Sequence, residues 1–267
     1  MRKFILLYAQ FIRLSFRGAM AHRSQYWAGI IAQWLSYGTR IAVLFIMVNN
    51  FDVLAGWTAD EMVFMYSFDL LAYSLCAFCL FGPSTGLAAK VRSGEFDSAL
   101  TKPLSPFVHE LYTSFNPGYV SHVSLTVVML IVTGIRLKLS FSPLGLLVFL
   151  AMLAGAVLVQ AAELNFCGAA GFFIIGENFV FDAISTTRDF TRYPITIYPA
   201  AVRFILTFVI PVAFMNFYPA SVILGRGEGM PFSPLLGLFT PLVGLLLFFL
   251  SVKLWYRGLS KYQSTGS

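Results

Sequence analysis

The longest apolar block in the sequence runs from Leu144 to Phe181, and blocks of similar character recur along most of the chain. Apolar residues make up 58% of the 267 residues and charged residues only 11%. A soluble domain carries about 25% charged residues, so this chain has too little polar surface to enclose a core in water. The blocks lack the strand-and-turn alternation of an outer-membrane barrel. They therefore indicate membrane-spanning α-helices, which satisfy their own backbone hydrogen bonds in lipid.

Segments long enough to cross a membrane are the next feature of the sequence. A helix needs about 20 apolar residues to cross the hydrocarbon core. Six such segments predict an all-α, polytopic membrane protein, with spans at about 26–48, 62–81, 118–135, 144–162, 165–185 and 234–254. Gly82-Pro83 marks the end of the second span or a kink in it.

The block from Leu144 to Phe181 is too long for one ordinary crossing, since a single helix of that length would extend about 57 Å. We interpret it as a hairpin, the fourth and fifth spans, that turns at the polar residues Gln160, Glu163 and Asn165. One long kinked span is the alternative.

The apolar stretch 200–222 is interrupted by Arg203, Pro211 and Pro219. We predict that it forms a re-entrant pair of helices that enters the membrane and returns. Basic residues concentrate in cytoplasmic segments. Both termini are basic, and the loop at 84–116 adds Lys90, Arg92 and Lys102. With these three segments in the cytoplasm, 11 of the 18 basic residues lie inside. That arrangement needs six crossings and puts Arg188 and Arg192 outside.

The first 25 residues form a segment of another kind. They contain five basic residues and no acidic one, interspersed with apolar side chains. At 100° per residue, Arg2, Lys3, Arg13 and Arg17 fall on one arc of a helix. The pattern predicts an amphipathic helix at 1–25 that lies on the membrane surface, followed by a single transmembrane domain at 26–267. An irregular basic tail is the alternative, whereas a cleavable signal peptide lacks support because no small-residue cleavage site follows.

Catalytic and metal-binding patterns are missing from the sequence. The three cysteines lie within apolar blocks and are interpreted as buried apolar side chains, and the three histidines are scattered, so no metal site is predicted. The chain contains no Gly-x-x-x-x-Gly-Lys-Ser/Thr motif, which would cradle a nucleotide phosphate. We therefore predict no catalytic residues and no cofactor in this chain, so that any ATP hydrolysis must occur in a partner.

Two charged residues lie inside predicted spans, Arg40 in the first and Asp69 in the second. Charged side chains in the membrane usually pair or face a cavity. The two residues lie at about 12 and 10 Å from the outer ends of neighbouring antiparallel helices, so we predict an ion pair. The pair either holds the two helices together or lines a translocation route.

Three acidic residues, Glu163, Glu177 and Asp182, suggest a different function. They form a proton relay in the alternative hypothesis of a proton-coupled secondary transporter. Glu177 and Asp182 are five residues apart and do not share a helix face. A lipid-modifying membrane enzyme is a third hypothesis, for which the sequence offers no acid–base pair.

The loop at 84–116 contains a short segment in which charges of both signs surround two apolar residues. Phe96 and Leu100 are four residues apart and share one face of a helix, which Pro103 ends. A short helix with an apolar tip and a charged rim suits docking into a groove of a partner, while a solvated loop is the alternative. The candidate coupling residues are Arg92, Glu95, Phe96, Asp97, Leu100 and Lys102.

Three stretches, considered together, resemble a known family. They are Arg13–Arg23 before the first span, Gly94–Pro106 in the loop, and Tyr193–Ala220 with its Tyr-Pro pairs. Their order and spacing resemble the membrane-spanning permease subunits of bacterial type-two ATP-binding-cassette (ABC) exporters. The resemblance is greatest to a six-span subgroup with an amphipathic N-terminal helix.

The resemblance implies a transport subunit of the bacterial inner membrane that forms the translocation pathway. It implies a coupling helix in the loop after the second span, which docks on a dimer of ABC ATPase subunits that bind ATP and Mg. It also implies a second permease subunit, identical or different, in a heteromeric complex. Five aromatic residues near the re-entrant pair either gate the outer mouth or anchor the protein at the interface: Tyr193, Tyr198, Phe214, Phe217 and Tyr218.

Overall fold

A computed structural model describes residues 2–49, 54–174, 179–227 and 230–263. Within these ranges the chain is helical and contains no β-strand, which confirms the predicted all-α class. The α-helices are α1 (Arg2–Ala21), α2 (Arg23–Asn49), α3 (Ala59–Ser93), α4 (Asp97–Leu100), α5 (Pro106–Thr113), α6 (Val120–Arg136), α7 (Pro143–Ala170), α8 (Phe179–Thr187), α9 (Ala200–Phe204), α10 (Phe217–Ile223) and α11 (Thr240–Lys261).

Within the described ranges, four helices are long and apolar enough to cross a membrane. They are Ala59–Ser93, Pro117–Arg136, Pro143–Ala170 and Pro234–Lys261, the second and fourth including a preceding 3₁₀ turn. The 27 residues of α2 contain the whole of the predicted first span and extend about 40 Å. These features show a polytopic membrane protein, and six spans remain a prediction.

The second span is longer than the sequence suggested. Pro83 lies inside α3, which continues to Ser93 and ends where Gly94 adopts the left-handed conformation at φ 76°. The Ser84 and Thr85 hydroxyls both donate hydrogen bonds to the Phe81 carbonyl oxygen near the proline. The loop predicted at 84–116 is therefore helical in its first third and begins as a loop only at Gly94.

The predicted hairpin within 144–181 is wrong. α7 continues unbroken through Gln160, Glu163 and Asn165, so the proposed fifth span at 165–185 is divided between the end of α7 and α8. These polar residues do not turn the chain because they lie inside the protein. Gln160 Nε2 donates to the Asp69 carbonyl oxygen at 3.0 Å, and Asn165 Nδ2 donates to Ser251 Oγ at 3.1 Å.

α7 is the central helix of the bundle, with α3 on one side and α11 on the other. α7 and α11 approach each other closely at Gly155 and Gly244. A Cβ atom on Gly155 would stand 2.5 Å from Pro241 N, and one on Gly244 would stand 2.9 Å from Leu158 Cβ. Small residues allow membrane helices to approach this closely.

Replacing Gly244 tests this crossing. We expect Gly244→Val to destabilise the protein by about 1–3 kcal/mol, because the added side chain would force α7 and α11 apart. The matched control is Gly134→Val in α6, where an added Cβ would meet no atom within 4 Å. Thermal unfolding in detergent measures both, and equal melting temperatures would contradict the close crossing.

The predicted re-entrant segment is a bent pair of helical arms, Ala200–Val209 and Val212–Ile223, at 74° to each other. After the second arm the chain reaches the end of the bundle where α3 begins, since Arg226 Nε donates to Glu61 Oε1 at 2.8 Å. Deeper in the bundle, Asn216 Nδ2 donates to the Thr191 carbonyl oxygen at 2.6 Å. These contacts show that the second arm leads back to the start of α3, and a return of the whole segment without crossing remains a prediction.

The N-terminal amphipathic helix predicted over 1–25 is α1, which ends at Ala21. Arg13 and Arg17 are exposed, whereas Phe11 and Phe16 are half-buried. The Phe11 ring lies 5.8 Å from the Tyr112 ring, and the Phe16 ring lies 5.9 Å from the Phe115 ring. One face of α1 thus packs beside α5, while its place on the membrane surface remains a prediction.

Candidate coupling surface and intramembrane polar network

Phe96, predicted to form the apolar tip of the coupling helix, is instead a core residue with 1% of its surface exposed. Its ring lies 5.3 Å from Phe172, 5.2 Å from Tyr262 and 6.3 Å from Trp255. α4 is one turn long, and the aromatic ring fixes it onto the ends of α7 and α11. The sequence pattern located the segment that forms α4, but it placed Phe96 on the exposed side of that helix and not on the buried side.

Two polar contacts reinforce this attachment. The Tyr262 hydroxyl donates to Asp97 Oδ1 at 2.8 Å, and burial together with this hydrogen bond raises the pKa of Tyr262 to about 12. Lys90 Nζ lies 2.9 Å from Glu110 Oε2, and Glu110 is buried. Asp97 therefore connects α4 to the C-terminal end of α11, while Lys90 and Glu110 connect α3 to α5.

The remaining predicted coupling residues face outward. We call them the coupling surface: Arg92, Glu95, Leu100 and Lys102, all exposed. Leu100 is 46% exposed and is the apolar member of the set. An exposed leucine among charges of both signs is suited to contact a partner.

Asp69 lies in a buried polar network at the centre of the bundle. It is 5% exposed and accepts hydrogen bonds from Gln160 Nε2 at 3.2 Å and from Thr191 Oγ1 at 3.3 Å. These donors come from α7 and from the 3₁₀ turn Arg188–Arg192 after α8. The network therefore connects α3 to two other parts of the bundle.

The predicted Arg40–Asp69 ion pair is not formed among the residues that the structure describes. Arg40 is exposed, and its guanidinium lies 5.2 Å from the centre of the Tyr37 ring. Both residues line one cavity of about 190 Å³, so they lie near each other without pairing. A similar distance from the outer ends of two helices does not determine which side chains meet. The direction in which each side chain points around its helix axis also has to match.

Arg188, which the sequence placed outside, is the cation that lies within the network. Its Nη2 donates to Gln160 Oε1 at 2.6 Å, its Nη1 lies 3.9 Å from Glu163 Oε2, and its guanidinium stacks 3.8 Å from the Tyr73 ring centre. Its side chain is 19% exposed. The predicted topology, which was chosen to place most basic residues in the cytoplasm, put Arg188 on the outer side. No motif near Arg188 in the sequence indicates its partners.

Of the three acidic residues of the proposed proton relay, the structure describes Glu163 and Asp182, and these two have different surroundings. Glu163 is inside α7 with a side chain that is 10% exposed, whereas Asp182 is exposed at the start of α8. Glu177 lies outside the described residues. Glu163 is thus a buried neighbour of Arg188, and not the turn residue that the sequence suggested.

The comparison with known families now decides the identity of the chain. Residues 34–266 match the family described as ABC-2 family transporter protein. The chain belongs to this family. No curated protein and no solved structure matches the chain significantly. The match includes the coupling surface and the polar network, and leaves α1 and the start of α2 outside.

ABC-2 membership confirms the predicted resemblance to a permease subunit and implies an ABC ATPase as partner. It makes the protein a multi-pass transport subunit of a membrane. It also favours the permease over the proton-coupled transporter. Within the described residues, no group of three or more histidine, cysteine or acidic side chains is arranged to hold a metal ion.

The aromatic residues predicted as an outer gate of this ABC-2 protein lie mostly in the interior. Phe214, Phe217 and Tyr218 are at most 4% exposed, and the Phe217 ring lies 5.5 Å from the Trp57 ring. Tyr193 and Tyr198 are half-buried and pack against the same cluster. The five residues thus belong to one apolar cluster or pack against it, and a gating role remains a prediction.

Proposed function

We propose that the chain is the pathway-forming permease of an ATP-driven exporter in the bacterial inner membrane. The match to the ABC-2 family over residues 34–266 is the observation that supports this most strongly. In this proposal a separate ATPase dimer binds ATP and Mg and docks on the coupling surface. A second permease subunit of the same family completes the pathway, and the chain catalyses no reaction itself.

The attachment of α4 suggests how the ATPase would move the permease. Force applied at Leu100 would pass through Phe96 and Asp97, which hold α4 against Trp255 and Tyr262 at the end of α11. Since α4 also follows directly from α3, closure of the ATPase dimer would shift α3 and α11 together. A ligand drives such a change only through its different affinity for the two states.

The polar network gives this motion a second connection. Thr191 donates to Asp69 Oδ2, and its carbonyl oxygen accepts from Asn216 at the base of the second arm of the bent pair. Gln160 connects α7 to the same Asp69 carboxylate. In the proposed mechanism, movement of α3 therefore reaches the bent pair from the Asp69 carboxylate through Thr191, whose carbonyl oxygen accepts from Asn216.

Copurification tests the proposed complex. We expect the tagged permease, extracted in mild detergent, to carry with it a chain containing Gly-x-x-x-x-Gly-Lys-Ser/Thr, identified by mass spectrometry. The complex should hydrolyse ATP. Recovery of the permease alone from native membranes, with no such chain under any mild detergent, would oppose the proposal.

Cysteine accessibility tests the proposed topology. We expect Ser98→Cys and Gln263→Cys to react only from the cytoplasmic side, and Ser140→Cys and Ser233→Cys only from the opposite side. All four positions are exposed in the structure. Labelling of Gln263→Cys and Ser233→Cys from the same side would contradict a crossing by the last helix and with it the proposed topology.

A further inference from the structure

A cavity of about 550 Å³ lies between α7, α8, α11 and the bend of the re-entrant pair. It extends along residues 159–166 of α7 and 247–254 of α11, about 10 Å at the helical rise. Both stretches lie well inside helices that are long enough to cross the membrane. Its walls are almost wholly apolar and include Phe166, Ile184, Val209, Ile210, Leu250 and Leu254.

One carboxylate interrupts this apolar wall. Glu163 lines the cavity with a side chain that is 10% exposed, and its Oε2 has no hydrogen-bond partner. Arg188 Nη1 is 3.9 Å away, beyond hydrogen-bond distance, while Arg188 Nη2 already donates to Gln160. Leaving a buried acceptor without a donor is unfavourable, so the site lacks one hydrogen-bond donor.

The backbone beside the cavity is irregular. Residues Ile205–Val209 form a π-helical turn, and the chain breaks at Ile210 and Pro211 before the second arm begins. Non-helical backbone at membrane depth is tolerated where protein buries it or where it lines a cavity. Val209 and Ile210 are 64% and 41% exposed, so an apolar group in the cavity would cover side chains at the break.

We infer that this cavity binds a single-chain amphiphile whose head group donates a hydrogen bond to Glu163, with a protonated amine as the best head group. The apolar chain would pack against Leu250, Leu254 and Val209, and the head would donate to the Glu163 carboxylate once rotation of that group turns the buried Oε2 toward the cavity. Hydrogen bonds between two charged groups are the strongest of this kind. The site goes beyond the proposed function, since it is separate from the coupling surface and does not depend on the direction of transport.

Three probes with the same chain and different heads test the inference. Equilibrium binding of dodecylamine, dodecanol and laurate is measured on the intact purified complex in nanodiscs. We expect dodecylamine to bind at least about tenfold more tightly than laurate, whose carboxylate offers no donor at neutral pH, and dodecanol to lie between them. Laurate binding as tightly as dodecylamine would overturn the inference.

Variants locate the binding. Glu163→Gln keeps an acceptor oxygen and removes the charge, so we expect it to weaken dodecylamine about tenfold and dodecanol less than about threefold. Leu250→Trp should fill the cavity and weaken both probes. Leu245→Trp is the control, because Leu245 is exposed on the same helix and does not line the cavity. Unchanged binding in Leu250→Trp, or equal loss in Leu245→Trp, would place the amphiphile elsewhere.

A transport assay distinguishes whether the bound amphiphile is cargo or a resident lipid. Dodecylamine moved across liposomes on ATP addition would identify the site as a cargo site, and bound but unmoved dodecylamine would identify it as a site for a resident lipid. Both outcomes support the binding site. Because ATPase copurification is recorded on the same preparation, failure to bind the probe remains distinct from failure of the proposed complex.

Discussion

Arg188→Leu should destabilise the protein by about 3–5 kcal/mol, the range seen when one partner of a buried charge pair is removed. The substitution would leave Glu163 without the nearby guanidinium and would remove the donor to Gln160 Oε1. It would also remove the cation above the Tyr73 ring. Thermal unfolding in detergent, together with the amount of protein in the membrane, measures the loss.

The neighbouring arginine provides a matched control. Arg192 pairs with Asp189 at 2.7 Å, but both side chains are well exposed, at 38% and 60%. Exposed pairs contribute about 0–1 kcal/mol, so Arg192→Leu should change stability little. Arg188→Lys should recover part of the stability by restoring the charge. If Arg188→Leu and Arg192→Leu were equally harmless, the network would not hold the bundle together.

The second large effect concerns the coupling surface. We expect Leu100→Asp combined with Lys102→Glu to reduce ATPase copurification at least about tenfold while leaving the permease folded. The apolar contact would be lost, and the reversed charge would repel a complementary rim. The measurement is the ratio of ATPase to permease after purification, set beside the melting temperature of the permease.

Two comparisons make this result specific. Phe141→Asp changes a residue that is also 46% exposed but lies between α6 and α7, and it should leave the ATPase ratio unchanged. Phe96→Ala should instead lower stability by about 3–5 kcal/mol, because it empties an aromatic core. Full ATPase recovery in the double variant at Leu100 and Lys102 would remove these residues from the contact.

The features that could be predicted from the sequence depend on residues that act locally. The apolar blocks predicted helices that cross the membrane, and α1 follows from the spacing of its basic residues. Pro211 predicted the break between the two arms of the bent pair, because proline cannot continue a hydrogen-bonded helix. The coupling segment was located by its charges and by Pro103, although α4 is only one turn long.

The errors arose where a polar or apolar residue has a partner distant in sequence. Gln160 and Asn165 suggested a turn because polar residues usually need solvent, yet Asp69 and Ser251 satisfy them inside the bundle. Phe96 was predicted to be an exposed tip because nothing near it in sequence covers it. The aromatic residues that bury it come from α11 and from the end of α7.

Arg188 could not be placed correctly for a related reason. Counting basic residues on each side of the membrane treats every arginine between spans as solvated. In the segment after α8, Arg188 instead points into the bundle, where it contacts α7 and the Tyr73 ring of α3. No spacing within the sequence indicates that contact, because its partners lie on two other helices.

Photocrosslinking from position 100 tests most directly whether this chain is a permease coupled to an ATPase through the coupling surface. A photoreactive amino acid replaces Leu100 in the native membrane, and a second variant carries it at Phe141. We expect position 100 to crosslink to a chain containing Gly-x-x-x-x-Gly-Lys-Ser/Thr, and position 141 to give no such product. Crosslinks to that chain from position 141 alone, or from neither position while the ATPase copurifies, would contradict the proposed coupling.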